Sequence, residues 1–111
     1  MTYIYDTGTK ELIISGTGAM YDYTYCGAPF NSSDVKTIVI NDGVTTVGDF
    51  AFQGCTNLES ISIPDSVTRI GDYSLCDCAN LTSITIPDSV TYLGDKSFNG
   101  CQNLAKLPVM K

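Results

Sequence analysis

The chain has 111 residues, of which 43% are hydrophobic and 16% charged, with a net charge of -6 and no histidine. This length fits one domain, and the composition favours a folded chain over a disordered acidic tail. Six scattered Lys and Arg residues cannot neutralise a row of phosphates, so nucleic acid and anionic membrane surfaces are disfavoured as partners.

Residues 1–34 are predicted to form an N-terminal cap, a β-hairpin followed by a loop. Tyr-Ile-Tyr at 3–5 and Leu-Ile-Ile at 12–14 flank a turn-rich segment at 6–10, a pattern typical of a hairpin. The hairpin would shield the apolar end of the structure that follows. Three tyrosines at alternate positions then share one face, which packs over that structure or contacts a partner or sugar: Tyr21, Tyr23 and Tyr25.

Residues 35–111 repeat with a period of 23 residues. The segments SISIPDSVTRIGDYSLCDC, from Ser60, and SITIPDSVTYLGDKSFNGC, from Ser83, are nearly identical, and a weaker copy begins at Thr37. This makes about three and a half units of the length found in leucine-rich repeats, in which each unit buries its apolar side only by stacking on its neighbours.

Each unit predicts a short strand that ends at proline. In the first full copy, Ile61 and Ile63 point inward, Ser60 and Ser62 point outward, and Pro64 ends the strand because it has no amide to donate. Equivalent strands are predicted around Ile38, Ile84 and Leu107, all parallel. A Gly-Asp pair in each unit then predicts a short helical or 3-10 turn capped by the aspartate: Gly48-Asp49, Gly71-Asp72 and Gly94-Asp95.

The five cysteines do not form a metal-binding pattern. Cys55, Cys78 and Cys101 fall at one phase of the period, which predicts a buried column of free thiols. No histidine is present to complete a zinc site. Cys26 and Cys76 lie out of phase, and whether they are exposed or paired is left open.

Catalytic chemistry is not indicated. Without histidine the commonest general base is missing, and a serine or cysteine nucleophile lacks its usual activator. The aspartates at one phase of the repeat stack like charges, which capping hydrogen bonds or bound calcium would offset. One carboxylate per coil gives calcium little support, so we predict no catalytic residue, no metal site and no cofactor.

The repeated frame Ile-Pro-Asp-Ser-Val-Thr-x-Ile-Gly-Asp, followed by Cys-x-Asn-Leu, resembles the BspA-like (Treponema-type) leucine-rich repeats of bacterial surface proteins. The resemblance covers roughly residues 35–111. It implies an α/β repeat solenoid, a right-handed coil with a short parallel β-sheet on the concave face and short turns on the convex side. The N-terminal segment around residues 15–30 is also similar to the flank of such domains.

The resemblance implies a non-catalytic protein-binding or adhesion module, located at the cell surface or secreted. Met1-Thr2-Tyr3 lacks a signal-peptide pattern, and no apolar run predicts membrane insertion. Its partner would be a host or neighbouring-cell surface protein, contacted through small, mostly hydroxylated outward positions of the concave sheet: Thr37, Val39, Ser60, Ser62, Ser83, Thr85 and Lys106. The alternatives are a structural spacer in a larger surface protein and a carbohydrate-binding surface that uses the N-terminal tyrosines.

The carboxyl end carries no protective cap in the sequence. Leu104-Ala-Lys-Leu107 stops just after the last predicted strand step, which would leave an apolar coil face exposed. The sequence therefore predicts either further repeats or a homo-oligomer formed through this coil.

Overall fold

The structure is a computed structural model that describes residues 1–23 and 34–104. These residues form a solenoid of stacked coils with two four-stranded sheets. The strands are β1 Thr2–Asp6, β2 Glu11–Ser15, β3 Gly18–Ala19, β4 Thr37–Ile40, β5 Val44–Val47, β6 Ser60–Ser62, β7 Arg69–Ile70 and β8 Tyr92–Leu93. One sheet has the order β1-β2-β4-β6 and is here called the main sheet; the other has the order β3-β5-β7-β8 and is called the second sheet.

The predicted N-terminal hairpin is confirmed, since β1 and β2 pair antiparallel. Its turn is held by Asp6, whose Oδ1 accepts the amides of Gly8 (2.8 Å) and Thr9 (3.2 Å). The hydrogen bonds from the Thr9 and Gly8 amides lower the pKa of the Asp6 carboxyl. The second hairpin strand, β2, also pairs in parallel with β4, so the hairpin is continuous with the sheet of the solenoid.

Residues 12–23 follow the course of a repeat coil although their sequence lacks the repeat frame. The Tyr23 amide donates to the Asp49 carbonyl (2.8 Å), and one coil later the Phe50 amide donates to the Asp72 carbonyl (3.0 Å). Likewise, Asp22 Oδ1 accepts the Asp49 amide (2.9 Å). The same interactions thus join this segment to the first recognisable repeat and join that repeat to the next.

The predicted columns of core residues are present. Leu58 and Leu81 have no exposed surface and belong to one continuous apolar cluster that runs through the stack. Leu104, the next equivalent residue, is partly buried against the same cluster. No coil encloses this cluster by itself, so the coils are stable only when stacked.

The predicted column of buried free thiols is confirmed. Cys55, Cys78 and Cys101 are buried and unpaired. Each of the last two thiols donates to a carbonyl of the preceding coil, from Cys78 Sγ to Phe52 (3.4 Å) and from Cys101 Sγ to Leu75 (3.1 Å). The cysteines therefore act as small apolar residues with one directional bond between coils.

The two cysteines outside this column have different outcomes. Cys76, whose exposure the sequence left open, is also buried and free. Cys26 lies outside the described residues.

The glycine of each Gly-Asp pair lies where two coils make their closest contact. A Cβ atom added at Gly71 would lie 2.5 Å from Asp49 Oδ1 and 2.6 Å from the Asp49 amide nitrogen. At Gly94 it would collide with Gly71 and Asp72 of the coil before. Only glycine permits this spacing, although its φ at Gly71 is an ordinary one.

The sequence predicts that each of these aspartates caps its own turn, but Asp49 and Asp72 do not. Instead their carboxylates accept an amide of the next coil: Asp49 Oδ1 accepts the Asp72 amide (2.8 Å), and Asp72 Oδ1 accepts the Asp95 amide (2.9 Å). Because the coils stack closely, the amide of the next coil lies within hydrogen-bond distance of the carboxylate. The bond offsets the repulsion between carboxylates of neighbouring coils.

The segments after each Gly-Asp pair are tight turns closed by bonds between residues three apart. An example is the Cys76 amide, which donates to the Tyr73 carbonyl (3.2 Å). Phe50, Tyr73 and Lys96 occupy the same place in three coils and all have positive φ, at 56°, 57° and 52°. No glycine marks this left-handed position, so the sequence did not reveal it.

The strand predicted around Ile84 does not form. Residues 81–87 make no ladder with β6, whereas β6 itself pairs with β4. Strands of three residues provide few hydrogen bonds, so the stacking of these two coils is set by the second sheet and by the tight turns instead. The strand predicted around Leu107 lies outside the described residues.

Candidate interaction surface

The outward face of the main sheet carries a row of side chains that crosses four strands. Register places Ile4 opposite Ile13, Ile13 beside Val39, and Val39 beside Ser62, and these four residues are here called the outer row. Ile4 is 56% exposed, Ile13 and Val39 are half-buried, and Ser62 is exposed. Three aliphatic side chains thus lie together on a solvent-facing sheet surface, next to a hydroxyl.

A second row runs beside the outer row. Glu11 lies beside Thr37, and Thr37 beside Ser60. The four predicted contact residues on β4 and β6 are therefore neighbours on one surface: Thr37, Val39, Ser60 and Ser62. The surface combines a small apolar patch with hydroxyls and two carboxylates, those of Glu11 and of Asp6, which lies opposite Glu11.

The predicted contact residues of the next coil lie across a cleft. Ser83 and Thr85 are exposed, and together with Ser62 they line a cleft of about 370 Å³ between residues 61–65 and 83–87. The full lining is Ile61, Ser62, Ile63, Asp65, Ser83, Ile84, Thr85 and Pro87. Lys106, the last predicted contact residue, lies outside the described residues.

Sequence reasoning did not include Ile4 and Ile13 in the candidate surface, because the hairpin was interpreted as a cap. The run Leu12-Ile13-Ile14 is apolar throughout, so it does not reveal which side chain faces outward. The alternation in β1 was an available signal. Tyr3 and Tyr5 pack partly against the core, and Ile4 between them must point to the other face.

A second surface, beside the second sheet, is rich in aromatic and charged groups. The Arg69 guanidinium lies 4.2 Å from the centre of the Tyr92 ring and 3.6 Å from Asp49 Oδ1. The Tyr92 hydroxyl donates to Asp72 Oδ1 (3.1 Å), and this hydrogen bond raises the Tyr92 pKa. These groups satisfy one another at a solvated surface, where such pairs contribute little to stability.

Three aromatic rings on this side have one face covered, although Tyr92 is still 42% exposed. The rings of Phe50 and Tyr73 stack at 4.9 Å with an angle of 3° between their planes, and the Tyr92 face is covered by Arg69. Tyr23 contacts the Tyr21 ring edge-on, at 6.4 Å between ring centres. Among the predicted tyrosines that the structure describes, Tyr21 is the one that is widely exposed, at 74%. Tyr25 lies outside the described residues.

The N-terminal tyrosines are joined by their hydroxyls. Tyr3 and Tyr23 make a hydrogen bond of 2.9 Å between their hydroxyl oxygens. Burial, and then the bond to Tyr23, raise the pKa of Tyr3. This contact joins Tyr23 to the hairpin, and Tyr23 also packs against the core cluster, as the predicted packing over the first coil requires, whereas Tyr21 does not.

Within residues 1–23 and 34–104, no group of three or more Cys, Asp or Glu residues is arranged to hold a metal ion. In the same part of the chain, no helix has the length and apolar character to cross a bilayer. The polar side chains on the outward face of the main sheet are the hydroxyls of Thr37, Ser60 and Ser62 and the carboxylates of Asp6 and Glu11.

Comparison with protein families gives one match. The family described as BspA type leucine-rich repeat region matches residues 27–111, in six copies. The curated proteins that were compared include no match.

Three solved structures of bacterial leucine-rich repeat proteins are similar to the chain. The one from Eubacterium ventriosum has a TM-score of 0.80 and 32% identity, covering 87% of this chain and 26% of its own. The protein from T. pallidum has a TM-score of 0.60 and 19% identity, covering 94% and 66%. The protein from Bacteroides ovatus has a TM-score of 0.53 and 23% identity, covering 85% and 35%. The chain therefore spans about a quarter of the Eubacterium protein.

Proposed function

The chain belongs to the BspA-type leucine-rich repeat family, and from this membership we propose that it is a non-catalytic module that binds other proteins through the outward face of the main sheet. Leucine-rich repeat families are generally non-catalytic, and BspA-type members are generally surface or secreted bacterial proteins. The proposed partner is a surface protein of a host cell or of a neighbouring cell. The proposed location is the cell surface or the secreted fraction.

The observation that carries this proposal is the outer row. Ile4, Ile13 and Val39 present adjacent aliphatic side chains on a sheet face that has solvent in front of it. An exposed apolar patch bordered by polar groups is typical of a protein contact site. The hydroxyls of Thr37, Ser60 and Ser62 supply the polar border, and they can both donate and accept hydrogen bonds.

Two carboxylates placed on the outer row test this function. Beads coated with the wild-type chain are expected to adhere to epithelial or bacterial cells, and Ile13→Asp and Val39→Asp are expected to reduce adhesion at least about tenfold, because a charge would have to be desolvated in the contact. The matched control is Thr91→Asp, at an exposed position away from the main sheet. Equal adhesion by all variants would contradict the proposal.

The same assay separates the alternatives. Protease treatment of the target cells should abolish adhesion if the partner is a protein, whereas glycosidase treatment should abolish it if the partner is a sugar. The second outcome would point to Tyr21, which is exposed, rather than to Tyr23, which is partly buried and bonded to Tyr3. A wild-type chain that adheres to no cell would support the structural spacer.

The location has its own test. An antibody against the chain is expected to label intact source cells or their medium. Labelling only after the cells are lysed would contradict a surface or secreted location.

The proposed homo-oligomer concerns the last described coil. The amides of Tyr73, Leu75 and Asp77 donate to the following coil at 3.0, 2.9 and 2.7 Å. Their equivalents, Lys96, Phe98 and Gly100, have no acceptor among residues 1–23 and 34–104. This edge suits a further coil from a second copy. A single monomeric species in sedimentation at high concentration would contradict the oligomer.

A further inference from the structure

We propose that the cleft between residues 61–65 and 83–87 binds an extended polypeptide segment through hydrogen bonds to its backbone, and that the segment carries Lys or Arg. The inference rests on the proposed protein-binding function. It adds the kind of segment that is bound and its place, at the β6 edge of the main sheet.

Unpaired backbone groups at the two rims carry the inference. In the earlier coils, the amides of Lys36 and Thr37 donate to the Lys10 carbonyl at 2.9 and 3.4 Å. One coil later, the amides of Glu59 and Ser60 donate to the Lys36 carbonyl at 2.8 and 3.4 Å. The same pair of backbone hydrogen bonds therefore recurs between β2 and β4 and between β4 and β6.

The contact is interrupted at the cleft. The equivalent amides, those of Thr82 and Ser83, should donate to the Glu59 carbonyl, but no such bond is made within residues 34–104. Among the residues that the structure describes, amides on one rim and carbonyls on the other have no protein partner. Backbone groups of this kind pair with water or with an added extended chain, as in strand addition to an open sheet.

The lining suits a backbone rather than a large side chain. Ser62, Ser83 and Thr85 are exposed, small and hydroxylated, and they let another main chain approach closely. The partly buried Ile63 and Ile84 also line the cleft and can pack against alternate side chains of the bound segment.

The negative charge at the cleft favours a basic segment. Asp65 lines the cleft and is exposed, and the whole chain carries a net charge of -6. A segment with Lys or Arg would be attracted to this surface, whereas an acidic segment would be repelled. The combined requirement is therefore an extended, basic stretch of polypeptide with small residues between the charged ones.

Hydrogen exchange tests whether the rims are unpaired. The amides of Ser83 and Thr85 should exchange at least about a hundredfold faster than those of Ile38 and Val39, which lie in paired strand β4. Equal protection at both places would mean that the ladder is closed, and it would overturn the inference.

A peptide probe tests the binding itself. The probe is an acetylated and amidated heptapeptide in which Thr and Lys alternate, added to the full chain up to about 1 mM and followed by NMR. Amide shifts are expected at Ser62, Ser83 and Thr85. N-methylation of alternate backbone nitrogens should weaken binding at least about tenfold, and Glu in place of Lys should also weaken it. Because these changes are made in the peptide, they do not affect folding of the protein.

Two substitutions at Thr85 separate backbone from side-chain recognition. Thr85→Pro removes the backbone amide and should weaken the Thr-Lys peptide about tenfold, while Thr85→Val keeps the amide and the shape and should change binding less than about twofold. No shift up to about 1 mM, or equal binding by the N-methylated peptide, would overturn the inference. So would saturation of the cleft by maltoheptaose in place of the peptide.

The outcomes distinguish the two proposals. Adhesion that is lost in Ile13→Asp while the peptide fails to bind would overturn the cleft inference and leave the protein-binding function standing. Peptide binding that depends on the Thr85 amide would support the cleft site even if no cell adhesion is found. In that case the adhesion function would be overturned.

Discussion

Replacing Gly71 by alanine should weaken the whole stack, because Gly71 lies where two coils come closest. The added Cβ would lie 2.5, 2.6 and 2.7 Å from atoms of Gly48 and Asp49. Carbon contacts are comfortable at about 3.5 Å or more, so the coils would have to separate by about 1 Å. The bonds from the Gly71 amide to the Val47 carbonyl and from the Asp72 amide to Asp49 Oδ1, both 2.8 Å, would then lengthen beyond hydrogen-bond range.

The expected loss of unfolding free energy is about 3 kcal/mol or more. Two hydrogen bonds contribute about 1 kcal/mol each, and overpacking a tight contact adds about 1–3 kcal/mol. A domain of this size loses about 4 °C in Tm for each kcal/mol, so Tm should fall by at least about 12 °C. Urea unfolding followed by circular dichroism measures the free energy directly.

Gly8→Ala is the matched control for this measurement. Gly8 also has an ordinary φ, but its added Cβ would meet only the Asp6 carboxylate of the exposed hairpin turn, at 3.2 Å, a contact that a shift of a few tenths of an ångström relieves. Its cost should stay within about 0.5 kcal/mol. If Gly71→Ala and Gly8→Ala unfold at the same urea concentration, the two coils do not lie close together at Gly71, and the predicted loss of stability is wrong.

Three further outcomes are expected. Asp72→Ala should cost about 1 kcal/mol, because the Asp95 amide loses its acceptor, while Asp72→Asn should retain most of the stability; equal losses in urea unfolding would contradict this. In a Cys26→Ser variant, the native chain should not react with DTNB at pH 8, and the four buried thiols should react once it is denatured. The reason is that a hydrogen bond with the Cys78 thiol, and then burial, raise the pKa of Cys101. The other three thiols are buried and therefore shielded from the reagent. The lowered pKa of Asp6 means that its ionised form stabilises the fold above the ordinary carboxyl pKa of about 3.9, and that this contribution is lost as pH falls through the lower folded value. The stability difference between wild type and Asp6→Ala should therefore shrink as pH falls below about 4; a constant difference would contradict it.

The sequence by itself determined the repeat, its strand faces and its buried columns. A 23-residue period aligns equivalent side chains only if the units stack in register, so the burial of Leu58 and Leu81 and the column of free thiols followed from the pattern. The hairpin could also be predicted, because its two apolar stretches flank one short turn. The predicted contact residues on β4 and β6 do lie side by side. Whether they bind a partner stays a prediction.

Only the tertiary structure decided how the ends and edges of the repeat are used. Residues 12–23 continue the stack without the repeat frame, since backbone pairing does not require the side chains of the frame, and this places Ile13 on the outward face beside Val39. The cleft at Ser62 and Thr85 could not be predicted from the sequence either. The units that begin at Ser60 and Ser83 have nearly identical residues, yet these two units pair in the second sheet and not in the main sheet. Periodicity dictates which residues share a column, but the separation between two coils depends on the sum of all contacts that hold them together.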